Sequence, residues 1–251
     1  LPRVPDRRTD INSRDEDGQT ALHLAAGSGS VEIVRLLVEE DADIRITDAT
    51  GQTPLHTAAA SGRAAAAQAL IAAASNPLAY VDIQDKEGQT ALHLAAEMGH
   101  VKTVELLTEE KASVLLRDKN GKLPLHLAAA GGHYNAVRFL LDRLTPIDTK
   151  DNGDMTALLQ AASIGDVNLL GMLLDHGAAL HAKTKDGASV LHLAASEGHA
   201  NAVKFLIARG AEVNARDGAG KTPLDLALTK SHMMAVEALR SYSGVKGETK
   251  P

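Results

Sequence analysis

The 251-residue sequence predicts an all-α fold, a solenoid of stacked helix-turn-helix units joined by projecting loops. Three observations carry that prediction. A nine-residue string recurs along the chain at a nearly constant period. Each recurrence holds residues that start and stop helices. Between those signals, apolar residues fall three and four apart, which is helical spacing.

The string is GQTALHLAA at Gly18 and, unchanged, at Gly88. GQTPLHTAA starts at Gly51, GKLPLHLAA at Gly121, DMTALLQAA at Asp154, GASVLHLAA at Gly187 and GKTPLDLAL at Gly220. Aligned on the third position (Thr20, Thr53, Thr90, Leu123, Thr156, Ser189, Thr222), the copies are spaced 33, 37, 33, 33, 33 and 33 residues. The threonines read as helix N-caps. Pro54, Pro124 and Pro223 follow at the first helical position, where the missing N-H costs nothing. Within this first helix Leu22, Ala25 and Ala26 share a face, as do Leu92, Ala95 and Ala96, and the alanines admit a neighbouring helix closely. Gly29, Gly62, Gly99, Gly132, Gly165 and Gly198 then break the helix, and a second periodic run follows, such as VEIVRLLV from Val31 or NAVKFLIARG from Asn201. Gly177 and Gly210 end such runs as C-caps. The loop AEVNARDGAG then leads into the next copy through an extended turn. The aspartates at Asp15, Asp48, Asp85, Asp118, Asp151 and Asp217 precede the motif glycine or its equivalent and read as turn formers.

Composition agrees with helices in close contact. There is no Trp, and the aromatics are Phe139, Phe205, Tyr80, Tyr134 and Tyr242, so the interior is built from Ala, Leu, Val and Ile. The absence of cysteine removes disulfides, thiol nucleophiles and thiolate metal sites, and fits a reducing compartment. A net charge of -6 argues against a nucleic-acid partner, which would require a concentrated excess of Lys and Arg. The longest apolar stretch, Ala64 to Ala74, is interrupted by Gln68 and is far shorter than the ~20 residues that span a bilayer, so no membrane insertion is expected.

The pattern T-P-L-H-L-A-A, followed by Gly-His eight to nine residues later at period 33, resembles the ankyrin repeat over residues 12–242. The resemblance implies an α-solenoid whose inner helices and β-turn fingers form a concave protein-binding face. The expected organisation is an N-terminal extension at 1–11, a repeat domain at 12–242 and a flexible tail at 243–251. Seven repeats are expected, with fingers at about residues 18, 51, 88, 121, 154, 187 and 220, the last a C-terminal cap. The expected role is an interaction scaffold without catalysis, cofactor or metal, located in the cytoplasm, with the nucleus as the other compartment allowed. The alternative is a targeting or autoinhibitory arm of a larger enzyme, channel or bacterial effector. Leu1 in place of an initiator Met favours a piece of a longer chain.

Two chemical readings compete with a scaffold. His23, His56, His93, His126 and His192 occupy one position of five copies. Stacking would space them by about one interhelix distance, ~8–10 Å, whereas zinc needs its ligands within ~2.2 Å of itself. The resemblance implies instead that each hydrogen-bonds to backbone near its own loop and ties the finger to the helix pair. His100, His133 and His199 read as second-helix starters or turn residues. The second competing reading is Gly220-Lys221-Thr222, which looks like the end of a phosphate-binding P-loop. That motif also requires glycine at position 215, which is Ala215, and a buried strand before it. No G-x-S-x-G, H-E-x-x-H or strand-led G-x-G-x-x-G occurs.

In the resembled family, partners are met by finger-tip residues and the end of the first helix. Here those positions include Lys86, Glu97 and Met98 in the third copy and Lys119 and Lys122 in the fourth. Met155 and Ile164 hold them in the fifth. Apolar Met98, Met155 and Ile164 with charged flanks form the candidate partner-binding set. The fifth copy also departs from the pattern, with Asp154 for Gly, Leu159 for His and Gln160 for Leu. Met155 and Ile164 therefore read either as contacts or as compensation for local drift. The 37-residue spacing inserts four residues within AASNPLAYVDIQ, either a plain bulge or a segment in which Tyr80 lends a contact.

Overall fold

A computed structural model describes residues 10–143 and 145–243. The chain forms two compact units, one ending at Lys119 and the other starting at Asn120. In the first unit, α1 (Ala21–Ser28) pairs with α2 (Val31–Glu39), α3 (Pro54–Ala60) with α4 (Ala64–Ala73), and α6 (Ala91–Glu97) with α7 (Val101–Glu109). A short helix, α5 (Pro77–Val81), follows α4. In the second unit the pairs are α8 (Pro124–Ala130) with α9 (Tyr134–Asp142), α10 (Ala157–Ile164) with α11 (Val167–Asp175), α12 (Val190–Ser196) with α13 (Ala200–Ala208), and α14 (Pro223–Thr229) with α15 (Met233–Ser243). Within each unit, first helices pack on first helices and second helices on second helices. Among the described residues the only β-type pairing is an isolated bridge between Lys183 and Ser189.

Helix boundaries follow the local chemistry. The residues before the first helices, Thr20, Thr53, Thr90, Leu123, Thr156, Ser189 and Thr222, all adopt extended N-cap backbone. Gly29, Gly62, Gly99, Gly132, Gly165 and Gly198 all take positive φ between the paired helices, a conformation that costs glycine nothing. The buried residues are those of the shared faces: Leu22 and Ala26, Leu92 and Ala95, Leu158 and Ala161, Leu191 and Ala194. Each such leucine contributes about 1.5–3 kcal/mol by leaving water. The second helices add Val34, Val104 and Leu107 in the first unit, and Val137, Leu140, Leu170, Leu173, Val203 and Leu206 in the second.

The insertion is more than a bulge. Asn76 caps α5 by accepting from the Ala79 amide at 3.2 Å. This helix delivers Tyr80 into the core, where its hydroxyl donates to the Ile44 carbonyl of the preceding loop at 3.1 Å. Burial pushes the Tyr80 phenol above its ordinary value. At the chain ends, α15 continues to Ser243, the first residue of the expected tail. The rest of that tail and residues 1–9 of the expected extension lie outside the described residues.

Candidate interaction face

Most fingers are held from within by one side chain. Asp15 Oδ1 accepts from the amides of Asp17 (3.1 Å) and Gln19 (2.8 Å). Asp48, Asp85, Asp151 and Asp217 repeat the pattern at 2.8–2.9 Å. In the sixth copy Thr184 takes this place, its hydroxyl accepting from the Ala188 amide at 3.0 Å. Burial acts to raise the Asp48 carboxyl, but the Thr50 hydroxyl and the Gln52 and Thr50 amides outweigh it and hold the group below its ordinary 3.8.

Neighbouring fingers join through backbone. The Ala49 amide donates to the Asp17 carbonyl (2.9 Å), Lys86 to Thr50 (3.0 Å) and Lys119 to Glu87 (2.9 Å) in the first unit. Asn152 donates to Asn120 (2.9 Å), Lys185 to Gly153 (2.9 Å) and Gly218 to Asp186 (2.8 Å) in the second. At Gly51 and Gly187, which also take the left-handed turn, this approach leaves no room for a side chain. A Cβ on Gly51 would lie 2.8 Å from the Lys86 amide nitrogen, and one on Gly187 2.9 Å from that of Gly218.

The histidines bond on two sides, and one side reaches further than their own loop. His23 Nδ1 accepts from the Thr20 amide at 3.1 Å, and the Thr20 hydroxyl lies 2.9 Å from it. Because an amide can only donate, the neutral ring carries its proton on Nε2, which donates to the Gln52 carbonyl of the next finger at 3.0 Å. His56 reaches Gln89 (3.1 Å), His126 reaches Met155 (3.1 Å) and His192 reaches Lys221 (3.0 Å) in the same way. The ring therefore stitches one copy to the next. The histidines at second-helix N-caps point the other way: Nε2 of His100 donates to the Ala60 carbonyl and that of His199 to Ser163, both at 3.0 Å. Burial lowers the pKa of His23 and His56 below 6.5, preserving the neutral form that the stitch requires.

Gly220, Lys221 and Thr222 form an ordinary finger and N-cap. The Gly220 amide closes the turn on the Asp217 carbonyl at 3.0 Å, and the Thr222 amide and hydroxyl both donate to Asp225 Oδ2 at 2.8 Å. Those two bonds hold the Asp225 carboxyl below its ordinary value. No cluster of three metal-ligating side chains occurs among the described residues, and none of their helices is long and apolar enough to cross a membrane.

The candidate contact residues lie in both units. In the first, Lys86 sits on its finger with Nζ donating to the Ala49 carbonyl at 2.7 Å. Lys119 Nζ lies 3.8 Å from Glu87 Oε1, with both side chains well exposed. Glu97 ends α6, and Met98 caps it with half of its surface exposed. In the second unit, Lys122 and Met155 are half-buried and Ile164 is 37% exposed at the end of α10. The Met155 backbone is pinned by Asp151 and His126. Ile164 Cδ1 comes 3.3 Å from where a Cβ on Gly132 would stand, so its side chain spreads over the turn glycine of the fourth copy. Sequence reasoning missed the outer surface of the second helices, where Tyr134 and Phe205 lie. The signal was legible: two of only five aromatics, with a glycine inside the helical run between them.

The comparisons with known proteins agree with this architecture. The family model described as "Ankyrin repeats (3 copies)" matches residues 4–79, 76–152 and 158–250. Among solved structures, the human ASB11 ankyrin repeat domain is similar at TM-score 0.81 and 26% identity, covering 93% of this chain and 100% of that one. The ankyrin repeat domain of Bcl-3, a member of the IkappaB protein family, is similar at TM-score 0.70 and 29% identity, covering 90% and 100% respectively. No curated protein matches the chain.

Proposed function

Because the chain belongs to the ankyrin-repeat family, whose domains are generally protein-interaction modules, we propose that it is a non-catalytic scaffold of seven repeats over 12–242, binding a protein or peptide on its fingers and first helices. One observation carries this reading. The atoms beneath the fingers repeat from copy to copy, as aspartate hooks, backbone rungs and histidine stitches, while the tip and helix-end side chains above them change. A constant frame with variable tips is suited to recognition. In the first unit Met98 supplies an apolar anchor, with Lys86, Glu97 and Lys119 as charged neighbours on its fingers and helix end; in the second, Met155 and Ile164 supply anchors and Lys122 a charge. No nucleic acid, cofactor or membrane enters this reading, and the cysteine-free chain suits the cytoplasm. The test is affinity capture on the full chain, with bound proteins identified by mass spectrometry. The paired change Met155→Glu and Ile164→Glu should weaken the captured partner at least about tenfold, or ~1.4 kcal/mol, with an unchanged helical signal. Equal binding by the variant overturns the assignment of these two residues.

A further inference from the structure

The surface opposite the first helices holds a feature that the finger reading does not use. In the second unit, α9, α11 and α13 lie side by side and enclose an open groove of about 520 Å³. Tyr134, Val167, Met172 and Phe205 give it an apolar floor around Gly171, and Asn168 and Asp175 complete the lining. Gly171 stands in the interior of α11, where glycine lowers helix stability relative to alanine. Packing does not demand it. A Cβ there would meet only the Phe205 ring edge, at an ordinary 3.6 Å. The missing side chain instead keeps a notch open in an otherwise continuous surface.

The 33-residue period shows what borders this notch. The positions equivalent to Gly171 on the neighbouring helices are Arg138 and Lys204, both exposed. Neither makes a hydrogen bond or ion pair among the described residues. Further along the same helices, the guanidinium groups of Arg143 and Arg209 lie over the Phe139 and Phe205 rings, 4.9 and 4.8 Å from their centres. The acids within α9, α11 and α13 are Asp142 and Asp175; Asp175 lies in the groove lining, where Arg209 engages it at 3.0 Å. A chain of net charge -6 thus presents a locally basic rim around an apolar notch.

We propose that this groove is a second docking site, which takes an amphipathic segment of a partner protein with one large apolar side chain in the notch and acidic residues on both sides. The apolar lining selects the anchor and the two unpaired cations select its flanks. Neighbouring helices lie roughly 10 Å apart, so Arg138 and Lys204 stand about 20 Å apart. A helical occupant covers that span in roughly 13 residues, which puts its acidic groups one to two turns from the anchor.

Panning a random library of roughly 15-residue peptides, long enough for that span, on the full chain tests the proposal, with counter-selection on Gly171→Leu. The expected pool carries an apolar anchor flanked by Asp or Glu. Its members should lose at least about tenfold in affinity on Gly171→Leu and on Arg138→Glu with Lys204→Glu, weaken as salt rises, and bind Gly171→Ala nearly as well as the parent. The charge pair lies on the exposed surface, so it tests recognition even where the leucine disturbs α11. The proposal is overturned by a pool without members sensitive to Gly171→Leu, by basic flanks, or by binding indifferent to the charge reversal. Self-association of the chain that Gly171→Leu abolishes overturns it too, since the occupant is then a second copy.

Discussion

The sixth copy and the fifth stand next to each other in the second unit and solve the same problem differently. In the sixth, His192 accepts from the Ser189 amide and donates to the Lys221 carbonyl of the following finger. In the fifth, Leu159 occupies the histidine position, fully buried, and the cap is left to the Thr156 hydroxyl, which accepts from the Leu159 amide at 3.4 Å. The finger glycine is also replaced, yet Asp154 holds the same left-handed turn at φ 59. The rung from Lys185 to Gly153 forms at 2.9 Å, and His199 still reaches back to the Ser163 carbonyl. The frame therefore tolerates loss of one stitch when apolar burial replaces it and the backbone rungs remain. The last copy makes the complementary point. Asp225 keeps the inward half of the histidine's role, accepting from the Thr222 amide and hydroxyl.

If both copies are equally well packed, Leu158→Ala and Leu191→Ala should each cost about 2–5 kcal/mol in denaturant unfolding. A much smaller loss at Leu158 would show the fifth copy to be loosely built. His192→Leu, which leaves the Lys221 carbonyl and the Ser189 amide without their ring partner, should cost about 1–3 kcal/mol. Leu159→His exchanges apolar burial for a new stitch and should stay within about 1 kcal/mol of the parent, since the two effects oppose. Acidification should act on the stitched copies. His23 and His56 titrate below 6.5 when folded, so below about that pH the unfolded chain binds more protons and stability falls. Melting curves between neutral pH and about pH 5 should show this decline, flattened when both histidines are replaced by Asn. The smallest effect belongs to Asp154→Gly, which relieves a positive φ and should stabilise the chain by no more than about 1 kcal/mol.

The period, the caps and the turn glycines were legible because each is a local backbone requirement written in one residue type. The aspartates were legible for the same reason. The reach of His23 to Gln52 was not, because a ring spanning two fingers is a tertiary relation that single-copy reasoning assigns to its own loop. Tyr80 was ambiguous until α5 fixed which way its ring faces. Of the candidate contacts, residue positions on fingers and helix ends could be read from the period. The spread of Ile164 over Gly132 required coordinates, as did the lysine contacts with Ala49 and Glu87.

The central claim is that the fifth copy keeps the frame while its altered tip and helix end meet the partner. Hydrogen exchange on the full chain, with and without the captured protein, tests it most directly. The account predicts that binding slows exchange at residues 152–155 and 163–165, with smaller changes along α11 and α13. Slowed exchange confined to the second helices, with the fifth finger unaffected, would contradict it.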